Sequence, residues 1–559
     1  MINRNIPPYK LDLLIIGGGI NGATAFYEAA RRGLKVLLIE KDDFGSKSSA
    51  GCFKTIHGGV RYLQHLNIPR VLESVNEQRN LRIIAKHLTA PLPFIIPTYK
   101  NLKKGKLYLS TGLSAYELIS FYKNIGIEEG YKLPRHKLLN IQDLLNIAPG
   151  VNQTSLTGGV CFYDAVINNI DRMNLAFIKD GIANGGTAVN YCESEKLISK
   201  NENIINCIIR DKVNNKNYTL ETDHVLVAAG SWSDKIKAQI LTQEGQQIYQ
   251  DAPKYFFSKG IQLAFPNFIK DHAIMVESRH DGQGNVMKRG GRGYFFLPWN
   301  KATLAGTADS LFKEDPDSYM INENEVSYFM KEIKSAYQSD QLNEKNIWLK
   351  FGGLRRCLPS EHKRLKEIDS HIGTVESSHD DQFISSKKIS NLHFIKGSKY
   401  TTARALSEKA IISIFKTHRL KAKTLSSTPS EDLLTFSKKI NSLSKAPLEQ
   451  SKITHLYKNY GIDALEIVKI YNENSEYSNY IESDNQTRRT DTTIGELIFA
   501  ARNESVQTLE DLIFRRTTLG SLGISSEDVL MSASSFAAKE LGWEEWRRLE
   551  YVKSIQLKL

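Results

Sequence analysis

An α/β fold organised around a βαβ unit is predicted by three observations. An apolar stretch, Leu13-Leu14-Ile15-Ile16, runs into Gly17-Gly18-Gly19-Ile20-Asn21-Gly22-Ala23. A small-residue helix pattern follows from Asn21 to Arg32 and is closed by Gly33, and a second apolar stretch, Val36-Leu37-Leu38-Ile39, ends on Glu40. The spacing has a physical reason at each position. The glycines let the chain turn sharply, bring the backbone against a pyrophosphate and let the helix from about Asn21 to Arg32 lie close on the sheet, its N-terminal amides facing the anion. Glu40, roughly 20 residues downstream, can accept both hydroxyls of an adenosine ribose and disfavours a 2′-phosphate there. The unit reads as dinucleotide-binding. It does not by itself distinguish NAD from FAD.

At 559 residues the chain is too long for one core, and 41% hydrophobic with 24% charged residues is ordinary for two or three globular domains. No segment approaches the ~20 apolar residues of a membrane span. Met-Ile-Asn-Arg-Asn-Ile-Pro-Pro precedes the first strand without an apolar signal core, so secretion is not expected. The five cysteines, Cys52, Cys161, Cys192, Cys207 and Cys357, show no paired spacing; they point to a reducing compartment and to neither a zinc site nor a disulfide framework. A net charge of +12 suits nucleic acid, an anionic membrane surface or an anionic substrate. The lysines are spread along the chain, as on a solvated basic surface, and no nucleic-acid motif is present.

Beyond the βαβ unit, Val71 to Leu88 reads as an amphipathic helix, with Val75, Leu81, Ile84 and Leu88 among its apolar positions. A region of mixed character extends to Val160. Asp171 to Ala183 reads as a helix and Gly185-Gly186-Thr187-Ala188-Val189-Asn190 turns into a strand. His224 to Val227 is an apolar strand ending in the small residues Ala228-Ala229-Gly230, which let backbone approach a cofactor. Segments between Lys254 and Asp309, such as Gly293 to Trp299 and Ala302 to Thr307, read as antiparallel strands of a second domain. His393 to Thr402 returns to strand, glycine turn and helix. Past the Ser/Thr/Pro linker Leu425 to Ser430 the pattern is helical.

Several separated motifs occur in one order: Gly17 to Ala23, His57-Gly58-Gly59-Val60-Arg61-Tyr62-Leu63, Ala229-Gly230-Ser231-Trp232, Phe296-Leu297-Pro298-Trp299, Gly306-Thr307-Ala308-Asp309, Gly353-Leu354-Arg355 and Gly397-Ser398-Lys399-Tyr400-Thr401-Thr402. Together they resemble the FAD-dependent glycerol-3-phosphate dehydrogenases and oxidases over nearly the whole chain, and Leu512 to Thr517 resembles that family's C-terminal helical domain. The resemblance implies a Rossmann-like FAD-binding domain of the glutathione-reductase/D-amino-acid-oxidase type, with an antiparallel-sheet substrate domain and a C-terminal helical domain. It divides the chain into FAD-binding parts at 1–105, 166–235 and 351–424, a cap segment at 106–165, a substrate domain at 236–350 and a helical domain at 425–559.

It also implies FAD as cofactor. Gly17, Gly19, Asn21, Gly22, Glu40 and Lys41 would then serve the adenosine and pyrophosphate, with the Ser48 and Ser49 hydroxyls on the pyrophosphate and Ser194 near the adenine. Gly58 and Gly59 would pass close to the isoalloxazine, and Ala229, Gly230 and Trp232 would line the cofactor. Gly397, Lys399, Tyr400, Thr401 and Thr402 would open a helix toward flavin N1 and O2. On the substrate side, Arg61 and Arg355 would hold a phosphate, with Lys399 beside the flavin. The implied reaction oxidises a secondary alcohol, taking glycerol 3-phosphate to dihydroxyacetone phosphate, with hydride passing to flavin N5 and His57 as base or as orienter of the hydroxyl. Expected partners are a small anionic polyol, a quinone or other electron acceptor, a peripheral membrane surface and a second copy in a homodimer, with no nucleic acid and no metal. The expected location is cytoplasmic, at the inner face of a membrane.

Three positions depart from the family pattern. Lys259-Gly260-Ile261-Gln262 stands where the family has Lys-Gly-x-His, and an amide cannot act as a base near neutral pH. Arg355-Arg356-Cys357 replaces Arg-Pro-Leu, and a further phosphate arginine has no counterpart in Glu367 to His371; Arg356, Arg364 or His371 would have to compensate. Gly397-Ser398-Lys399 replaces Gly-Gly-Lys. These changes leave open a pocket respecified for another polar alcohol or an amine, and a flavin binder without catalysis.

Overall fold

The computed structural model describes residues 4–63, 65–101, 105–250, 256–278, 292–357, 381–421, 423–481, 491–524 and 526–557. Its first layer is a six-stranded sheet in the order Gln382–Ser385, Leu392–Lys396, Thr222–Val227, Leu11–Ile16, Val36–Ile39, Thr187–Val189. Strand Leu11–Ile16 lies at its centre, parallel to both neighbours, with Ile16 opposite Ile39 on one side and Val227 on the other. Both faces of this strand are covered, so Leu13–Ile16 form a continuous apolar run rather than an alternating one. Helix Ile20–Ala30 packs on one face with helices Ile170–Ala183 and Ala403–Phe415 beside it. The ends of the central strands deliver Gly17, Glu40 and Ala228 to one edge, where ligands of open α/β sheets bind.

The second layer is a nine-stranded mixed sheet. Phe257–Pro266, Ala302–Phe312, Arg292–Trp299 and Ala273–Ser278 pair antiparallel as the sequence suggests, with Leu349–Arg356 added at one side. The region of mixed character supplies the rest: Thr89–Tyr99 pairs antiparallel with Leu156–Ile167 and parallel with Ala273–Ser278. Three prolines, Pro91, Pro93 and Pro97, obscure the first of these strands in the sequence. A smaller four-stranded sheet spans Cys192 to Thr242. The helix read from Val71 in fact begins at Ile68 and ends at Ile84, after which Lys86–Leu88 tightens into a 3₁₀ turn. Among the described residues, six α-helices between Leu433 and Gln556 build two further apolar clusters at the C-terminal end.

Candidate active site

One cavity of about 2450 Å³ runs along the sheet edge between the two layers. Its first end is made by the glycine-rich turn. Gly17 adopts φ +110°, and a Cβ there would lie 2.8 Å from the Ala228 carbonyl oxygen. A Cβ on Gly22 would lie 1.7 Å from the Gly17 oxygen, so Gly22 is set back from the cavity and serves helix–strand packing. Glu40 accepts hydrogen bonds from the Gly18 and Asp42 amides at 2.7 and 3.0 Å. Burial raises its pKa, and those two amides oppose the rise. Ser49 Oγ accepts from the Ile20 amide at 2.9 Å, and Ser48 Oγ donates to the Leu354 carbonyl at 2.9 Å. Both hydroxyl groups therefore tie the loop Gly45–Ser49 to its surroundings as well as lining the space. Lys41 and the Trp232 indole converge on Asp317, each at 2.6 Å, with Lys41 Nζ 5.0 Å from the indole centroid.

The space suits a dinucleotide. Gly17, Gly19, Asn21, Glu40, Ser194, Ala229 and Gly230 all line it. Ser194 Oγ, Asn21 Oδ1 and Gln262 Oε1 are buried polar atoms with no protein partner, and groups left so within a folded interior ask for a ligand or water.

The second end holds the residues expected to do chemistry. His57 lies between two phenylalanines, its ring centroid 6.0 Å from Phe94 and 5.9 Å from Phe295. Its Nδ1 is 2.9 Å from Asp164 Oδ2 and its Nε2 is 2.9 Å from Thr55 Oγ1. Asp164 is buried, and its Oδ1 accepts from the Gly58 amide at 2.9 Å and from Gln78 Nε2. A carboxylate can only accept, so His57 Nδ1 carries the proton toward Asp164 and Nε2 is left with its lone pair. Gly58 proves to be set back from the cavity: a Cβ there would lie 2.0 Å from Tyr116 Oη, and its amide serves Asp164. Gly59 lines the space with φ +80°.

Arg355 comes from the strand Leu349–Arg356 and is ion-paired with Asp309, which also accepts from Ser258 Oγ at 2.8 Å. Lys399 lies 4.5 Å from the Tyr62 ring centroid, and Arg61 is exposed on the neighbouring turn; all three cations line the same cavity. Arg356 lines it too, and burial together with Arg356 pulls Lys396 down to about 8. Arg364 and His371 lie outside the described residues.

Two of the departures acquire an account. Gln262 Nε2 donates to the Gly51 carbonyl at 3.1 Å, a structural bond that leaves Oε1 for a ligand. Ser398 answers to Asp381, whose carboxylate accepts from the Ser398 amide at 2.8 Å and from Thr402 Oγ1 at 2.6 Å. Thr402 is thereby turned away from the cavity, unlike Gly397, Tyr400 and Thr401, which line it. Buried Lys259 pairs with Glu325 at 2.6 Å.

Sequence reasoning missed the carboxylates: Asp164, Asp309, Asp317 and Asp381. For Asp164 a signal existed, since it is the one charge in the apolar strand Leu156–Ile167; an isolated charge in a buried strand needs a partner.

Comparison with known proteins places the chain in a family. Residues 412–548 match the C-terminal domain of alpha-glycerophosphate oxidase. The chain is 26% identical to the mitochondrial glycerol-3-phosphate dehydrogenase of Schizosaccharomyces pombe, over 96% of this chain and 85% of that protein. It is 27% identical to the glycerol-3-phosphate dehydrogenase of a Synechocystis strain, over 92% and 90%. In fold it is similar to the glycerol-3-phosphate dehydrogenase of Bacillus halodurans complexed with FAD, with a TM-score of 0.73 at 21% identity, covering 99% of this chain and 95% of that one. A FAD-dependent oxidoreductase family model matches residues 12–397, the span that carries most of the cavity lining, and the chain belongs to the FAD-dependent oxidoreductases.

Proposed function

We propose that the protein oxidises sn-glycerol 3-phosphate to dihydroxyacetone phosphate and passes the electrons to a quinone or another acceptor. The observation that carries this reading is the His57–Asp164 pair lining the same cavity as Arg355, Arg61 and Lys399, so that one space offers both a base and an anion-binding set. The curated relatives named above act on this substrate by name, which supports the reading. FAD, held by Gly17, Gly19, Glu40, Ser194 and Gly397, supplies the two-electron acceptor.

The chain's own residues would do the rest. Arg355, already oriented by Asp309, would swing its remaining donors to the phosphate in the planar geometry that suits oxyanions. Arg61 and Lys399 would balance its second charge. His57 Nε2, exchanging its Thr55 contact for the substrate hydroxyl, would take the proton as the hydride leaves the same carbon. Asp164 would hold the imidazole in the accepting tautomer and stabilise the cation that forms. Phe94 and Phe295 pack beside the imidazole, which stays open to the cavity.

A membrane surface is the second element of the reading. No helix among the described residues is long and apolar enough to cross a membrane. Helix Lys106–Ile119, however, exposes Leu107, Tyr108 and Leu118, and Phe121 and Ile125 continue the patch, while Leu109 and Leu113 of the same helix line the cavity. An apolar helix face at the rim of a redox cavity suits an apolar acceptor arriving from a lipid phase.

The test is anaerobic mixing of the yellow holoenzyme with glycerol 3-phosphate. Loss of the visible flavin band at millimolar substrate is expected, with glycerol alone inactive. A flavin that stays oxidised with this substrate, yet is reduced by an uncharged alcohol or an amine, overturns the assignment.

A further inference from the structure

The loop that joins Glu40 to Ser49 is held from outside the flavin-binding region. Glu40 and Lys41 at its start and Gly45 to Ser49 at its end line the cavity, whereas Asp43 between them does not. Asp43 is buried and points the other way. Its Oδ2 accepts from Arg515 Nε at 2.6 Å and Arg516 Nη1 at 2.8 Å, and its Oδ1 from Arg516 Nη2 at 2.7 Å and Asn190 Nδ2 at 2.9 Å. The two arginines hold the Asp43 carboxyl far below the ordinary range against the opposing effect of burial.

Both arginines belong to the C-terminal domain, on the π-helical turn Asp511–Arg516. They are fixed there: Arg515 Nη2 donates to Asp511 at 2.7 Å and Arg516 Nε to the Glu504 carbonyl at 2.9 Å. A second tie runs in parallel. Asn190 Nδ2 donates to the Ser505 carbonyl at 2.9 Å and Tyr191 Oη to Asp511 at 2.6 Å, while the Tyr191 and Cys192 amides donate to the Asp42 and Glu40 carbonyls at 2.9 and 2.8 Å. The loop that lines the cavity thus carries in its middle a buried, charge-paired contact made by residues more than 450 positions away in sequence. Mere adhesion between domains does not require the pairing partner to sit inside the cofactor loop. A buried charge whose partner is removed has no solvent to turn to, so the loop must move if the arginines leave.

We propose that the C-terminal helical domain is a working part of the flavin site, with Arg515 and Arg516 acting through Asp43 as positioning residues for the loop Lys41–Ser49. FAD binding and docking of the C-terminal domain are then reciprocally coupled. The inference rests on FAD occupying the cavity and is independent of the substrate.

The experiment compares purified Arg516→Lys, Arg515→Lys and Asp43→Asn with Arg502→Gln, which breaks ion pairs to Glu473 and Glu540 inside the C-terminal domain and touches nothing in the loop. The readouts are the FAD dissociation constant from flavin fluorescence and the rate of limited proteolysis of the C-terminal domain with and without added FAD. The three clamp variants should weaken FAD binding by about tenfold or more, and Arg502→Gln by no more than about twofold even where its melting temperature falls as far. Added FAD should slow cleavage of the wild-type C-terminal domain, and less so in the clamp variants. Folded clamp variants with unchanged FAD affinity, an equal loss in Arg502→Gln, or wild-type proteolysis indifferent to FAD would each overturn the proposal. The wild-type proteolysis result decides the matter if no clamp variant folds.

Discussion

Replacing Asp164 by asparagine changes one atom's chemistry and no volume. Asp164 Oδ1 receives two donors, the Gly58 amide at 2.9 Å and Gln78 Nε2, while Oδ2 receives only His57 Nδ1. Asparagine keeps a single acceptor, and two donors outweigh one. Its carbonyl will therefore face Gly58 and Gln78, and its amide nitrogen will be turned on His57 Nδ1. That ring nitrogen must then accept, so the proton moves to Nε2, where it can no longer take one from a substrate hydroxyl. Loss of a charge-assisted hydrogen bond costs about 1.5–3 kcal/mol, or roughly 10- to 150-fold in rate. The inverted tautomer removes the base as well, a change worth about 10⁴-fold in a serine protease triad. Flavin reduction by glycerol 3-phosphate should consequently slow by about 10²- to 10⁴-fold, measured by anaerobic rapid mixing with FAD content and melting temperature unchanged. A reduction rate within about threefold of wild type, less than one lost charge-assisted bond would cost, would refute the assignment of His57 as base and Asp164 as its positioner.

Three further outcomes follow from the same geometry. Gly22→Ala should yield protein without bound flavin, read as the ratio of visible to ultraviolet absorbance, because the added methyl would sit 1.7 Å from the Gly17 oxygen and must push the helix off the strand. Arg355→Ala should raise KM for glycerol 3-phosphate by about 10- to 150-fold, the worth of a charge-assisted phosphate contact, while leaving FAD affinity alone; an unchanged KM would remove Arg355 from the phosphate site. Burial, with Arg172 and Lys86 nearby, pushes His87 from 6.5 down to about 3. The unfolded chain takes a proton there that the folded chain refuses, so stability should fall as pH drops through that window, and His87→Gln should flatten the fall in melting temperature.

The flavin-binding end was legible because its constraints are local. Gly17, Gly19, Gly22 and Glu40 sit on one strand, one turn and one helix, and Gly17 and Gly22 each answer a contact within the same βαβ unit or at the end of its neighbouring strand. His57, Arg61, Arg355 and Lys399 were likewise found through short motifs, and the structure brings them to one cavity. Thr402 and Gly58 were given to the cofactor by those motifs, but each faces a carboxylate instead, Asp381 and Asp164. Ser398, read only as a departure, belongs to the first of those pairs.

What sequence alone determined is the βαβ unit and the order of the motifs, since backbone turns and helix starts are set by residues a few positions apart; the choice of FAD came with the family those motifs resemble. Tertiary structure alone decided which carboxylate orients which cation or imidazole. Asp164 reaches His57 across 107 positions, and Asp43 reaches Arg515 across 472. Pairing over such distances depends on how sheets register and domains dock, and a buried charge leaves no local pattern beyond its own presence among apolar neighbours. The fold thus supplies the partners that give a recognisable binding unit a held imidazole and a loop braced from the far end of the chain.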